Sequence, residues 1–179
     1  MLVKIHTLKE PKVENKAKLN KALLNKVKKH ILEEPNRLIM STWLSKTTPG
    51  TKINPGAWGE NNMEVPKCGT VGCIAGWIVL LAHPDADERM KLETLYGYNA
   101  IAKRALGIAD LSVYYSGIPF EIFYVDRWPE PFKTQYYEVS YKFPNHDEAQ
   151  KERAKIVAAV IDEFKKRWDE LHTPKKVKE

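Results

Sequence analysis

The feature that most constrains this sequence is an apolar run in the middle of the chain, at residues 71–82. A membrane-spanning helix needs about 20 residues, so the run is too short to cross a bilayer and predicts a buried core helix. Other segments must supply the apolar faces that cover it. At 179 residues the chain can build one such core. We therefore expect a single domain over residues 1–179, with frayed ends at 1–14 and 173–179.

Two flanking segments carry the amphipathic patterns that can cover the run. In residues 15–33 the apolar side chains recur at helical spacing, at Leu19, Leu23, Leu24, Val27 and Ile31. The C-terminal segment repeats this pattern with Val157, Val160, Ile161, Phe164, Trp168 and Leu171. Asn145, followed three residues later by Glu148, is typical of a capped helix start. We predict that helices at 15–33, 70–82 and 146–170 pack together.

The remaining segments have weaker patterns. Residues 95–106 favour a further helix that Gly107 would end. Residues 135–143 (QYYEVSYKF) combine β-propensity with partial alternation, which predicts a short strand or hairpin. Residues 46–66 contain three prolines, three glycines and no period, so we expect a long loop. The predicted fold class is mainly α: a single compact helical domain with this loop.

Composition indicates a cytoplasmic protein. The two cysteines, Cys68 and Cys73, form no disulfide framework, so we expect both to be reduced thiols. Residues 1–10 show no apolar stretch of the secretory type. We expect no membrane partner and no cofactor. We also expect no metal, because the spacing of the two cysteines is at the edge of the spacing found in zinc sites and no second pair of cysteines follows.

The segment most able to carry chemistry is CGTVGCIAGW, at residues 68–77. If Thr70 caps the helix, the unpaired amides and the positive dipole end of its first turn can hold an anion. Glycines at positions 72 and 76 would leave one helix face almost bare, open to another helix or to a flat ligand. The predicted ligand-binding residues are Thr70, Gly69, Gly72, Cys73 and Gly76, with Trp58 or Trp43 stacking on a planar group.

Thiol chemistry is the main alternative for this segment. A helix N-terminus lowers the pKa of a nearby cysteine, which would make Cys73 or Cys68 a nucleophile. Such a nucleophile needs a base, and of the five histidines only His83 is on the same helix, about 15 Å beyond Cys73. An equally good interpretation of the two cysteines is that they are small, buried, hydrophobic side chains with no chemical role.

Positive charge is concentrated near the N-terminus. The first 46 residues contain eleven Lys or Arg and four Glu, while the whole chain has a net charge of +6. On the 15–33 helix the basic side chains fall opposite the apolar face, at Lys18, Lys21, Lys26, Lys28 and Lys29. Such a face can bind nucleic acid or a host protein, although most basic helix faces contact only water. No nucleic-acid-binding motif accompanies it.

The string CGTVGCIAGW, preceded by Met40 and Trp43, resembles a motif of small phage and bacterial proteins with a CGTxxCxAG helix. In that group an alanine–leucine–glycine helix end and a Trp-Pro segment follow, corresponding here to residues 105–107 and 128–129. The resemblance spans residues 20–170, and residues 114–120 depart from it. It implies a phage or mobile-element setting and supplies no catalytic residues.

Three functional hypotheses follow. The first is a non-enzymatic, phage-encoded accessory protein that holds a small anionic, nucleotide-like ligand at the start of the 68–82 helix. The second is a thiol-dependent hydrolase or transferase that uses Cys73 or Cys68. The third is an interaction protein of the host cytoplasm that blocks a host protein or nucleic acid through the basic helix. Because no base for a thiol is evident, the first is favoured.

Overall fold

The computed structural model describes residues 18–41, 44–46, 52–53, 63–64, 70–109 and 117–173. Within them the chain is mainly helical, as predicted. The α-helices are α1 (Lys21–Glu33), α2 (Ile74–Ala82), α3 (Ala86–Ala105), α4 (Phe132–Lys142) and α5 (His146–His172). Pro35–Arg37 and Val125–Arg127 form short 3₁₀ turns. The frayed ends predicted at 1–14 and 173–179 lie outside the described residues, except Thr173, which follows the last turn of α5.

Short antiparallel strand pairs join α1 to α2. Strand β1 (Leu44–Lys46) pairs with β4 (Thr70–Gly72), and β2 (Lys52–Ile53) pairs with β3 (Met63–Glu64). The segment predicted as a loop at 46–66 therefore contains β2, β3 and the end of β1. Its other residues lie outside the part of the chain that the structure describes.

Three of the helices begin with a side-chain cap. These are α1, α3 and α5, and their caps are Asn20, Asp85 and Asn145. The Asn145 side chain accepts hydrogen bonds from the amides of Asp147 and Glu148, at 2.9 and 3.3 Å. This confirms the helix start predicted from the sequence. A cap of this kind satisfies amides that have no partner within the helix.

The core lies along α1. This helix packs against α2 and α5, while α3 covers α2 and α4 covers α5. The predicted apolar faces of α1 and α5 are buried, and Phe164 is fully enclosed, with its ring 5.4 Å from that of Phe120. Leu171 was wrongly included, because it is 51% exposed. Asp169 pairs with Lys21, the first residue of α1, so Leu171 lies past the end of the neighbouring helix.

One further prediction was wrong. Residues 135–143, expected as a strand or hairpin, belong to α4 and its C-cap. Tyr136 and Val139 lie one helical turn apart and are buried, and packing against α5 outweighs the β-propensity of the segment. The helix expected at 95–106 is confirmed as the second half of α3, which follows a kink at Gly97, where φ is 71°, and ends before Gly107, whose φ is 74°. Helix α3 as a whole begins earlier, at residue 86. Its first half has no buried residue, so it carries no apolar pattern in the sequence.

Candidate anion-binding site at the start of helix α2

The start of α2 differs from the one that the sequence predicts. Thr70 is not the N-cap: it is the first residue of β4, and Gly72 is the last, so Gly72 is not helical. The carbonyl of Gly72 accepts a hydrogen bond from the amide of Ile39 at 3.1 Å. Backbone pairing thus holds this segment extended, since strand partners satisfy its polar groups. Helix α2 begins at Ile74, after Cys73 in the N-cap position.

This helix start is buried and has no side-chain cap. Ile74 and Ala75 are fully enclosed, and Gly76 is also buried. Cys73 makes no capping hydrogen bond. The amides of residues 74–76 donate to none of the described residues outside the helix. Buried first-turn amides of this kind can donate to a bound group that supplies an acceptor.

Arg37 places a positive charge beside this helix start. Its Nε donates to the carbonyl of Thr70 at 3.1 Å, and its guanidinium carbon lies 4.5 Å from the ring centre of Trp77, in the first turn of α2. Its carboxylate partner is Glu34, 3.2 Å from Nη1. The Glu34 side chain is 51% exposed, whereas that of Arg37 is 14% exposed. Because the pair is shared with water on the Glu34 side, an incoming anion can take over the guanidinium.

His30 and Trp77 line the same region. Their ring centres are 4.2 Å apart, in a tilted arrangement. Trp77 Nε1 and His30 Nε2 are both buried, and neither has a hydrogen-bond partner among the described residues. Burial lowers the pKa of His30 below its ordinary value, and the charge of Arg37 lowers it further, against the opposing effect of Glu34 and Glu33. His30 is therefore neutral near pH 7.

The Pro35–Arg37 turn connects this region to the start of α5. Asn36 Nδ2 donates to Asp147 Oδ1 at 3.3 Å, while Asn36 Oδ1 is buried with no partner in the described part of the chain. The turn packs against α5, β4 and α1. The turn therefore holds Arg37 between β4 and α2. The hydrogen bond of Asn36 to Asp147 holds the turn against α5.

The proposed nucleophile, Cys73, is a buried thiol. It is 2% exposed, and His83 lies at the opposite end of α2, where its Nδ1 is 2.9 Å from Glu88 Oε1. His146 and His172 are in α5, near Asp147 and the carbonyl of Trp168. Among the described histidines, His30 packs against Trp77 in the first turn of α2, so it is the candidate base for the thiol hypothesis.

Several predicted site residues lie outside the described residues. These are Trp43, Trp58, Cys68 and Gly69. Of the others, the structure places Thr70 next to Arg37 and puts Cys73 and Gly76 at the uncapped helix start. The close approach of another backbone or a ligand at Gly76 stays a prediction. Within the ranges described, no group of three His, Cys, Asp or Glu is placed to hold a metal ion.

Part of the basic face of α1 is paired with acidic residues of α5. Lys21 bonds to Asp169 at 2.5 Å, and Lys28 pairs with Asp162. Burial acts to raise the pKa of Asp162, but its hydrogen bonds from Lys165 and Lys28 prevail and lower it. Lys29 lies 3.6 Å from Glu33. Lys18 and Lys26 are exposed. The face thus offers polyanions less free charge than the sequence suggests. None of the described helices is long and apolar enough to cross a membrane.

Sequence reasoning missed the side chains that surround the helix start. Arg37 was counted only as part of the basic N-terminal segment, and His30 only as a possible base. Trp77 is the last residue of the CGTVGCIAGW motif, but no role was predicted for it. The sequence does show a turn that begins with Pro35 and places Arg37 just after a helix. The proximity of this turn to β4 and α2, however, follows from the bridge between Leu38 and Gly72.

Comparison of the chain with family models, with curated proteins and with solved structures finds no match in any of the three.

Proposed function

We propose that this protein is a non-enzymatic binding protein that holds a small anion at the start of α2. The observation that carries the proposal is the buried, uncapped first turn of α2 with the Arg37 guanidinium beside it. A helix N-terminus attracts anions through its free amides and its dipole. The amides of residues 74–76 and the guanidinium are the donors, so the site selects for negative charge.

The resemblance to phage and bacterial proteins suggests the wider role. In this proposal the protein is a phage-encoded accessory protein of the host cytoplasm that sequesters an anionic, nucleotide-like molecule. Trp58 or Trp43 would stack on its planar part, and Thr70, Gly69 and Gly72 would form the strand edge of the site. The fully enclosed ring of Trp77 is not a stacking surface, because it is 1% exposed. Native mass spectrometry of the purified protein would reveal a ligand that co-purifies.

The test is calorimetric titration of the apo protein with sulfate and with adenosine monophosphate. Arg37→Gln should weaken binding of either anion about 10- to 100-fold, because a charge-assisted hydrogen bond contributes about 1.5–3 kcal/mol. Arg127→Gln is the matched control, since Arg127 is also the last residue of a 3₁₀ turn and is exposed. Equal affinities in the two variants would place the anion elsewhere.

Glu34→Gln should have the opposite effect. It removes the carboxylate that competes for Arg37 at 3.2 Å and should tighten anion binding several-fold, by about 1 kcal/mol or less. Cys73→Ala separates this proposal from thiol chemistry, because it removes the thiol without adding a capping group. Binding retained by this variant supports the anion site, whereas a loss of binding with the fold intact would favour a role for the thiol.

A further inference from the structure

Two buried ring nitrogens next to Arg37 are not accounted for by the fold. Trp77 Nε1 carries a hydrogen and can only donate, and Trp77 is 1% exposed. His30 Nε2 is buried and 4.2 Å separates the centres of the two rings. Within the described residues neither atom has a hydrogen-bond partner. An unmade hydrogen bond of this kind is costly, so two of them on contacting rings indicate a site for a polar group.

The position of these atoms relates them to the anion site. Trp77 is in the first turn of α2, and helical side chains lean towards the N-terminus of their helix. Trp77 thus belongs to the same turn whose amides are uncapped. His30 reaches it from α1, and Arg37 reaches it from the following 3₁₀ turn. Three elements thus meet at the Trp77 ring.

We infer that the anion held at the start of α2 contacts both Trp77 Nε1 and His30 Nε2, and that it binds together with one proton on His30. This inference rests on the proposed function. The proton comes from the solvent and adds to the imidazole lone pair, which makes the ring a cation with two N–H donors. No other bond is formed or broken.

The charges around His30 explain why the proton arrives only with the anion. From the 3₁₀ turn Arg37 faces the ring and disfavours the imidazolium. From α1 and its end, Glu33 and Glu34 favour it, but Glu33 is shared with Lys29 and Glu34 with Arg37. From α2 the ring meets Trp77, which has no charge. A bound anion adds the missing negative charge, so anion binding and protonation of His30 strengthen each other.

The test uses sulfate, because this ion does not itself titrate between pH 5.5 and 8. At constant ionic strength its affinity for the full chain should rise about tenfold from pH 7.5 to 5.5, since one unit of pKa change corresponds to a tenfold change in affinity. His30→Gln should still bind sulfate but with little pH dependence. His83→Gln, at the far end of α2, should keep the full dependence.

The outcomes are distinct. If sulfate binds with the same affinity at every pH, the proton uptake is wrong while the anion site stands. If the pH dependence survives in His30→Gln, His30 is not the group that takes up the proton, and the inference is overturned. If sulfate binds at no pH, the proposed function fails and this inference fails with it.

A second measurement keeps the indole contact testable even where a Trp77 variant fails to fold. In proton–nitrogen NMR spectra the assigned Nε1–H resonance of Trp77 should shift when sulfate is added. The indole of Trp128 is an internal control, because its Nε1 already donates to the carbonyl of Ile122 at 2.9 Å and is buried. A Trp77 resonance that stays in place at saturating sulfate would rule out the contact.

Discussion

Helices α2 and α5 begin in opposite ways. The first turn of α5 is exposed at Asp147 and Glu148, and the side chain of Asn145 caps it. The first turn of α2 is buried, and its N-cap position holds Cys73, which does not cap it. Water can satisfy the amides of an exposed turn, but a buried turn depends on the groups around it. This difference is the reason for proposing a bound anion at the start of α2.

The two helix starts also differ in charge. Two acidic residues in the first turn of α5 complement its positive dipole end. The first turn of α2 has no acidic residue, and Arg37 adds positive charge to it. The α5 start is thus neutralised within the chain. At the α2 start, the carboxylate that pairs with Arg37 among the described residues is that of the half-exposed Glu34.

The largest expected effect tests whether α5 owes its stability to the core rather than to its start. Phe164→Ala should lower the free energy of unfolding by about 3–5 kcal/mol, because it removes a fully enclosed ring. Tyr141→Ala, which removes an aromatic ring that is 90% exposed, should change it by less than about 0.5 kcal/mol. Urea denaturation measures both. Similar losses in the two variants would mean that α5 is not a core helix.

A pair of substitutions at the two N-cap positions tests the comparison directly. Asn145→Ala should destabilise the protein by about 1 kcal/mol, because it removes an existing cap from α5. Cys73→Ser should stabilise it by up to about 1 kcal/mol, because serine in this extended position can accept from the free amides of α2. The new cap should also weaken sulfate binding. If Cys73→Ser binds sulfate as tightly as the wild type, the amides of α2 do not hold the anion.

The smallest effect concerns the pH dependence of stability in the absence of anions. The pKa of His30 is lower in the folded state, so the unfolded state binds more protons as the pH falls below about 6.5. Stability should therefore decrease between pH 7.5 and 5.5, and this part of the decrease should be absent in His30→Gln. Added sulfate should reduce the decrease in the wild type. Chemical denaturation at the two pH values checks both expectations.

A helix could be predicted from the sequence wherever its own residues form one apolar face. The patterns of α1 and α5 and the cap at Asn145 are local, so spacing along the chain was enough to find them. The first half of α3 could not be predicted in this way, because it buries no residue and its sequence therefore has no periodic apolar pattern. The prediction for residues 135–143 was wrong for a different reason. Their intrinsic preference is for strand, and the surface of α5 imposes a helix on them.

The sequence by itself determined that a buried apolar helix follows a glycine- and cysteine-rich segment and that the amphipathic helix α1 packs against it. It did not determine where that helix begins. Pairing of β1 with β4 made Thr70–Gly72 a strand and moved the start to Ile74. A separate bridge between Leu38 and Gly72 brought Arg37, more than thirty residues upstream, against the carbonyl of Thr70. Backbone hydrogen bonds between distant segments set both outcomes, and such bonds have no signature in local spacing.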